Sequence, residues 1–118
     1  MVDEAKTEKN LDSQVYSLLE KVRAKGGSFR KGVNEVTKAL ERSQAKLVIY
    51  AEDVSPKEIV MHLPLLSKDK GVPIVQVKSR LDLGKAAGLS VGSAAIAIIN
   101  AGEEAHALDE LVSKLKLD

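Results

Sequence analysis

The chain has 118 residues and a mass of 12.7 kDa, 44% of it hydrophobic and 30% charged, which suits one compact domain with a core of its own and is too apolar for a disordered segment. It has no cysteine, which excludes a disulfide scaffold, a thiol nucleophile, an iron–sulfur cluster and any thiolate zinc site, and fits a reducing cytoplasm. The charged start MVDEAKTEKN lacks the apolar stretch of a signal peptide, and no run approaches the roughly 18 apolar residues of a membrane span.

In chain order, residues 1–10 read as a flexible extension ahead of a single domain. Residues 11–25 place Leu11, Val15, Leu18, Leu19 and Val22 at helical spacing, and Gly26-Gly27 supplies a stop. Residues 28–31 read as a short strand or lead-in, and 33–43 as a helix with Val33, Val36 and Leu40 on one face. LVIYA (47–51) is a buried strand by its β-branched run. Ser55 and Pro56 then open a helix as N-cap and first helical residue, which runs through MHLPLLSKDK with a bend or break near Pro64. PIVQV (73–77) is a second buried strand. Residues 79–87 form a helix that Ser79 caps, with Asp82 three positions on and Gly88 at its end. AAIAII (94–99) is a third buried strand, and a last helix carries Ala107, Leu108, Leu111, Val112 and Leu115. Strands alternating with helices argue an α/β domain with helices on both faces of a small sheet.

The net charge is only +1, but it is unevenly spread. Residues 1–12 carry four acids against two bases, and residues 103–118 five against two. Residues 28–46 carry five bases (Arg30, Lys31, Lys38, Arg42, Lys46) against two acids, and 78–93 three against one. Such polarity can present an anion-binding face on a nearly neutral protein, although solvated helix faces produce the same count. Tyr16, Phe29 and Tyr50 are the only aromatic residues. That excludes the ring platforms on which many RNA-binding modules stack bases, so an RNA would have to be read through base edges, backbone and shape.

Signals for catalysis are weak. His62 and His106 are far apart and match no metal-ligand spacing. LGKAAG (83–88) lacks the glycine-rich lead and the trailing Ser/Thr of a phosphate-binding loop. Glu52 and Asp53 follow a strand, where an acid of a doubly wound domain can hold a metal or accept a phosphoryl group. A turn role suits them better, and a small phosphoacceptor or metal-binding domain using Asp53 stays as the alternative reading.

RKGVNEVTKALER (30–42) says more. Its apolar stripe points inward, so Asn34, Glu35, Lys38 and Arg42 share the outer side. Lys31 and Gly32 precede the helix where bare amides and the dipole favour a phosphate. Glu35 would repel a phosphate backbone, but it can accept from the N1–H and amino group of a guanine while Lys38 and Asn34 donate to O6. The plainer alternative is a capped helix with a surface Glu35–Lys38 pair of a few tenths of a kcal/mol. GLSVGSA (88–94) is a glycine-flanked loop carrying Leu89 and Val91 where polar turn residues are the norm. It reads either as a core lead-in or as an apolar loop for an unstacked base.

RKGVNEVTKALER, AEDVSPKEIVMHLPLLSKDKGVPIVQVKSR and LGKAAGLSVGSAAIAII, in that order, resemble the kink-turn-binding L7Ae family of ribosomal proteins over roughly residues 11–115. The family also includes core proteins of box C/D and box H/ACA guide ribonucleoproteins. The resemblance implies a three-layer α-β-α sandwich with a four-stranded mixed sheet, no enzymatic activity and no cofactor. It also implies binding to kink-turns, in which a bulge adjoins tandem sheared G·A pairs. The RNAs implied are ribosomal RNA, box C/D and H/ACA guide RNAs and RNase P RNA. The implied partners are other ribosomal and guide-ribonucleoprotein core proteins, met by a cytoplasmic protein that is monomeric when free. By resemblance, Gly32 admits the RNA backbone, Asn34, Glu35 and Lys38 meet the guanine edges, Leu89, Ser90 and Val91 cover bulged nucleotides, and Ile59 and Arg80 line the same pocket. Two departures stand out: Gly92 replaces a proline of many relatives, which should leave the loop more mobile, and Ser55 replaces an acid of spliceosomal relatives.

Overall fold

A computed structural model of the chain describes the backbone of residues 2–54 and 59–117, and the side chains of residues 12–54 and 59–113. The elements are α1 (Val2–Ala24), β1 (Ser28–Lys31), α2 (Val33–Glu41), β2 (Leu47–Ala51), α3 (His62–Lys70), β3 (Ile74–Val77), α4 (Arg80–Ala86), β4 (Ala95–Asn100) and α5 (Ala105–Leu117), the last entered through a short 3-10 turn at Gly102–Glu104. The four strands form one mixed sheet in the order β1–β4–β2–β3. β4 runs antiparallel to both neighbours, and β2 runs parallel to β3.

Position in the sheet follows from apolar content. Leu47, Val48 and Ile49 of β2 and Ile96, Ala97 and Ile98 of β4 are fully buried. Successive side chains point to opposite faces, so both faces of these two strands must be covered by helices. Accordingly α1 packs on α4 and α5, while α2 packs on α3, and both α2 and α4 touch β4. β1, SFRK, is mostly exposed and takes an edge, where charged side chains are tolerated. Its pairing with β4 slips at Ser28/Phe29, with Ser28 opposite Asn100 and Phe29 opposite Ile98.

One sequence expectation is corrected. The first helix starts at Val2 rather than Leu11. Residues 2–10 have no apolar stripe to announce them, but Ala, Glu and Lys are good helix formers and acids near a helix start favour its dipole. The Ser55 and Pro56 helix start lies outside the described residues. The regular helix of that segment begins at His62, after turn residues at 60–61, so the interruption expected near Pro64 falls just ahead of it. Pro64 is its third residue, where an amide would have no intrahelical partner to lose. The Ser79 cap is as expected: its Oγ accepts the Asp82 amide at 3.2 Å.

Among the described residues, Ser67 Oγ is the one buried side-chain polar atom without a hydrogen-bond partner. Ser67 lies on α3 with no exposed surface, so its hydroxyl has lost water without replacement. Ser67→Ala is expected to stabilise the fold by about 1 kcal/mol, read as a higher urea midpoint with an unchanged slope.

Candidate functional site

The strand-to-helix joint is a single residue. Gly32 (φ 97, ψ 151) follows β1, and its carbonyl accepts the first α2 bond from Val36 N–H at 2.9 Å. Nothing lies within 4 Å of the place where a Cβ would stand, so backbone conformation rather than crowding calls for glycine here. The Gly32 amide donates to the Ala95 carbonyl at 2.9 Å, which seats the start of α2 against the start of β4. No side chain caps this end of α2.

Helical periodicity then sorts the α2 side chains. Val36, Ala39 and Leu40 are buried, while Asn34, Glu35 and Lys38 are exposed. Lys38 Nζ stands 3.8 Å from Glu35 Oε2, with both side chains a little over half exposed. Such a pair contributes a few tenths of a kcal/mol, so either partner is readily redirected to a ligand. Lys31 is exposed at the end of β1. Arg42 is exposed at the C-terminal end of α2, about 12 Å along the helix axis from Asn34.

The 88–94 loop lies on the first turns of α4. Leu89 N–H donates to Gly84 O at 2.8 Å, and Ser93 N–H donates to Arg80 O at 3.0 Å. A Cβ on Gly84 would strike the Val91 carbonyl and come within 3.0 Å of Gly92 Cα. Gly84 of the LGKAAG run is therefore where loop and helix backbones touch. Gly92, expected to leave the loop more mobile, sits against Arg80, whose Cγ and carbonyl oxygen would be 3.3 Å from a Cβ there. Ser93 Oγ donates to Ala95 O at 2.9 Å, the same carbonyl that receives Gly32. Leu89 is half-buried, while Ser90 and Val91 are exposed, Val91 by 64%.

Loop, Arg80, Gly32 and the first turn of α2 are thus joined by consecutive hydrogen bonds. Arg80 is exposed and, with Asp53, Val54 and Ala94, lines an open cavity of about 240 Å³. Ile59 is 43% exposed in the turn before α3, and α3 is tied to α2 by a 2.8 Å hydrogen bond between His62 Nε2 and Thr37 Oγ1. Thr37 Oγ1 also lies 2.8 Å from the Val33 carbonyl, to which it donates, so His62 supplies the proton of the other bond. His106 lies 3.4 Å from Glu110 on exposed α5 surface. Among the described residues no group of three or more His, Asp or Glu could hold a metal ion. Asp53 of the alternative reading accepts the Arg80 amide through Oδ1 at 2.9 Å.

Sequence reasoning missed the contacts that hold the site in place. The bonds from Tyr16 OH to Ser79 O (3.4 Å), from Lys78 N–H to Asp12 (3.1 Å) and from Arg80 N–H to Asp53 join residues 63, 66 and 27 positions apart. No local spacing announces such pairs. Burial raises the Tyr16 phenol above its ordinary pKa, with the negative charges of Asp12, Asp82 and Asp53 adding to that rise and the Ser79 hydrogen bond opposing it. Tyr16 therefore stays a donor at neutral pH.

Residues 13–108 match the ribosomal protein L7Ae/L30e/S12e/Gadd45 family. Over 90 residues, 76% of this chain and 75% of the relative, the sequence is 53% identical to the large ribosomal subunit protein eL8 of Haloquadratum walsbyi. It is 51% identical, over the same shares, to eL8 of Halobacterium salinarum. The structure is similar to that of the Giardia lamblia 15.5kD RNA binding protein, with a TM-score of 0.86 and 34% identity over 92% of this chain and 89% of that one.

The Gly84 contact makes a prediction whose sign opposes helix propensity. Alanine is better than glycine in a helix by about 1 kcal/mol, yet Gly84→Ala is expected to lower stability, because its Cβ meets loop backbone rather than a flexible side chain. Denaturant unfolding checks the sign, and displaced amide resonances of Leu89 through Ser93 check the cause.

Proposed function

The chain belongs to the ribosomal protein L7Ae/L30e/S12e/Gadd45 family, and on that footing we propose that it is an RNA-binding protein that recognises and stabilises kink-turns. It is not an enzyme. Its RNAs are ribosomal RNA, box C/D and box H/ACA guide RNAs and RNase P RNA. It works in the cytoplasm, monomeric when free, beside other ribosomal and guide-ribonucleoprotein core proteins.

The observation that carries this reading is the Gly32–Ala95 hydrogen bond, which sets a base-reading helix face and an apolar loop side by side. Sheared G·A pairing leaves guanine O6 and N1–H open in a widened groove. Glu35 accepts from N1–H and the amino group, while Asn34 and Lys38 donate to O6. Their present ion pair is exposed and long at 3.8 Å, so turning both groups to a guanine costs little. Lys31 and the α2 amides receive phosphate, the glycine at 32 lets the backbone come close, and Arg42 extends the basic track. Leu89, Ser90 and Val91 cover bulged nucleotides, with Ile59 and Arg80 lining the bulge pocket.

These groups meet one RNA together only when stem, bulge and G·A pairs fold around them. The protein therefore prefers the bent form, and that preference shifts the RNA population. Moving an RNA from 1:99 to 99:1 bent needs about 5.5 kcal/mol of differential affinity, a sum within reach of several base-edge contacts at about 1–3 kcal/mol each.

Two measurements check this mechanism. Glu35→Ala is expected to stay folded and to weaken binding to a kink-turn with intact G·A pairs by about 1–3 kcal/mol. Lys31→Ala should weaken kink-turn and plain duplex alike, since a phosphate contact carries no base information; unchanged kink-turn affinity in Glu35→Ala would refute the guanine-edge assignment. Energy transfer between dyes on the two stem ends, in Mg²⁺-free buffer, should report closure on adding the parent protein and much less with Leu89→Ser and Val91→Ser combined. Tight binding without approach of the stem ends would sink the bending mechanism.

A further inference from the structure

The entry into α4 is held at three consecutive residues, each through one backbone group bonded to a side chain from far along the chain. Lys78 N–H donates to Asp12 Oδ2 at 3.1 Å, Ser79 O accepts from Tyr16 OH at 3.4 Å, and Arg80 N–H donates to Asp53 Oδ1 at 2.9 Å. Asp12 and Tyr16 are four residues apart on α1, one turn of helix. Asp53 comes from the other direction, two residues past the end of β2.

The Asp53 bond is the shortest of the three and sits nearest the proposed interface. Arg80 is the first residue of α4, and its amide has no intrahelical acceptor. The N-cap Ser79 spends its own oxygen on Asp82, which leaves the Arg80 amide to Asp53. On its other side, the Arg80 carbonyl accepts the Ser93 amide at 3.0 Å, and Gly92 packs directly against Arg80. A single peptide segment thus links Asp53, whose neighbour Glu52 donates its amide to Val77 O of β3 at 2.9 Å, to the loop that carries Leu89, Ser90 and Val91. The sheet holds the far end of that loop as well, since Ala51 N–H donates to Ala94 O at 3.0 Å.

We propose that Asp53 is a positioning residue for RNA recognition: by accepting the Arg80 amide, its carboxylate fixes the origin of the Arg80 side chain and, through the Arg80 carbonyl, the 88–94 loop. The inference rests on the RNA-binding reading above. Charge alone argues the reverse, because an exposed carboxylate that lines the same cavity as Arg80 repels phosphate. The acceptor role and the charge therefore predict opposite signs for one truncation.

The test compares the parent protein with Asp53→Asn, which keeps an acceptor and loses the charge, and with Asp53→Ala, which loses both. Each is titrated against a kink-turn RNA and a plain duplex of equal length, and exchange of the Ser93 amide is measured without RNA. Asp53→Asn should bind the kink-turn at least as tightly as the parent, with Ser93 protected. Asp53→Ala should bind it roughly tenfold more weakly, the scale of one lost charge-assisted hydrogen bond. Its duplex affinity should be unchanged or higher, and its Ser93 exchange faster. Asp53 is exposed, so truncation spares the core; Asp53→Ser is a second truncation with the same expected loss. Kink-turn binding by Asp53→Ala as tight as the parent's, or Asp53→Asn as weak as Asp53→Ala, would overturn the positioning role while leaving RNA binding intact. A parent that does not prefer the kink-turn to the duplex would instead overturn the reading beneath it.

Discussion

The geometry of this protein depends on the start of β4. Ala94, just ahead of the strand, and Ala95, its first residue, offer carbonyls to either side: Ala51 at the end of β2 takes the first, and Gly32 just after β1 takes the second. β1 pairs with β4 as far as Lys31 opposite Ile96, and the Gly32 bond carries that ladder one residue further, into the turn that begins α2. The helix therefore leaves the sheet without slack. Since the residues just before Ala95 belong to the 88–94 loop, helix and loop share one anchor, and their separation is set by sheet geometry rather than by two independent segments.

Around that anchor the loop is restrained by close backbone packing. Leu89, Ser93 and Gly92 each touch the first turns of α4, and Gly84 is small enough to let the Val91 carbonyl approach. An exposed apolar loop held in this way loses little conformational freedom on meeting a ligand, which is how preorganisation improves affinity. Ser90 and Val91 are exposed, while the amides of Leu89 and Ser93 on either side of them are bonded to α4.

Electrostatics gives the molecule a direction. α1 and α5 pack on one another and come from the acidic ends of the chain, while α2 packs on α3 and carries Lys38 beside Glu35 with Lys31 just ahead of it. A net charge of +1 conceals this arrangement, which orients an approaching polyanion more than it strengthens indiscriminate attraction. Glu35 inside the basic stretch acts in the same sense. It weakens attraction to any phosphate backbone and favours a ligand that offers donors.

The sequence by itself determined most elements and the facing of α2. Apolar spacing in 11–25 and 33–43, the β-branched runs at 47–51 and 74–77, and the Ser79 cap are set by contacts within a few residues, so a linear pattern contains them. The Glu35–Lys38 pair was legible for the same reason. Where the local signal was weak, as for the start of α1, reading alone misplaced the feature. Only the tertiary structure decided the strand order β1–β4–β2–β3, the joining of Gly32, Arg80 and the 88–94 loop, and the use made of Asp53. These depend on strand pairings and hydrogen bonds between residues far apart in the chain, whose partners become neighbours only once the sheet has closed around β4, and a spacing rule that spans one turn of helix or one step of strand contains no term for them.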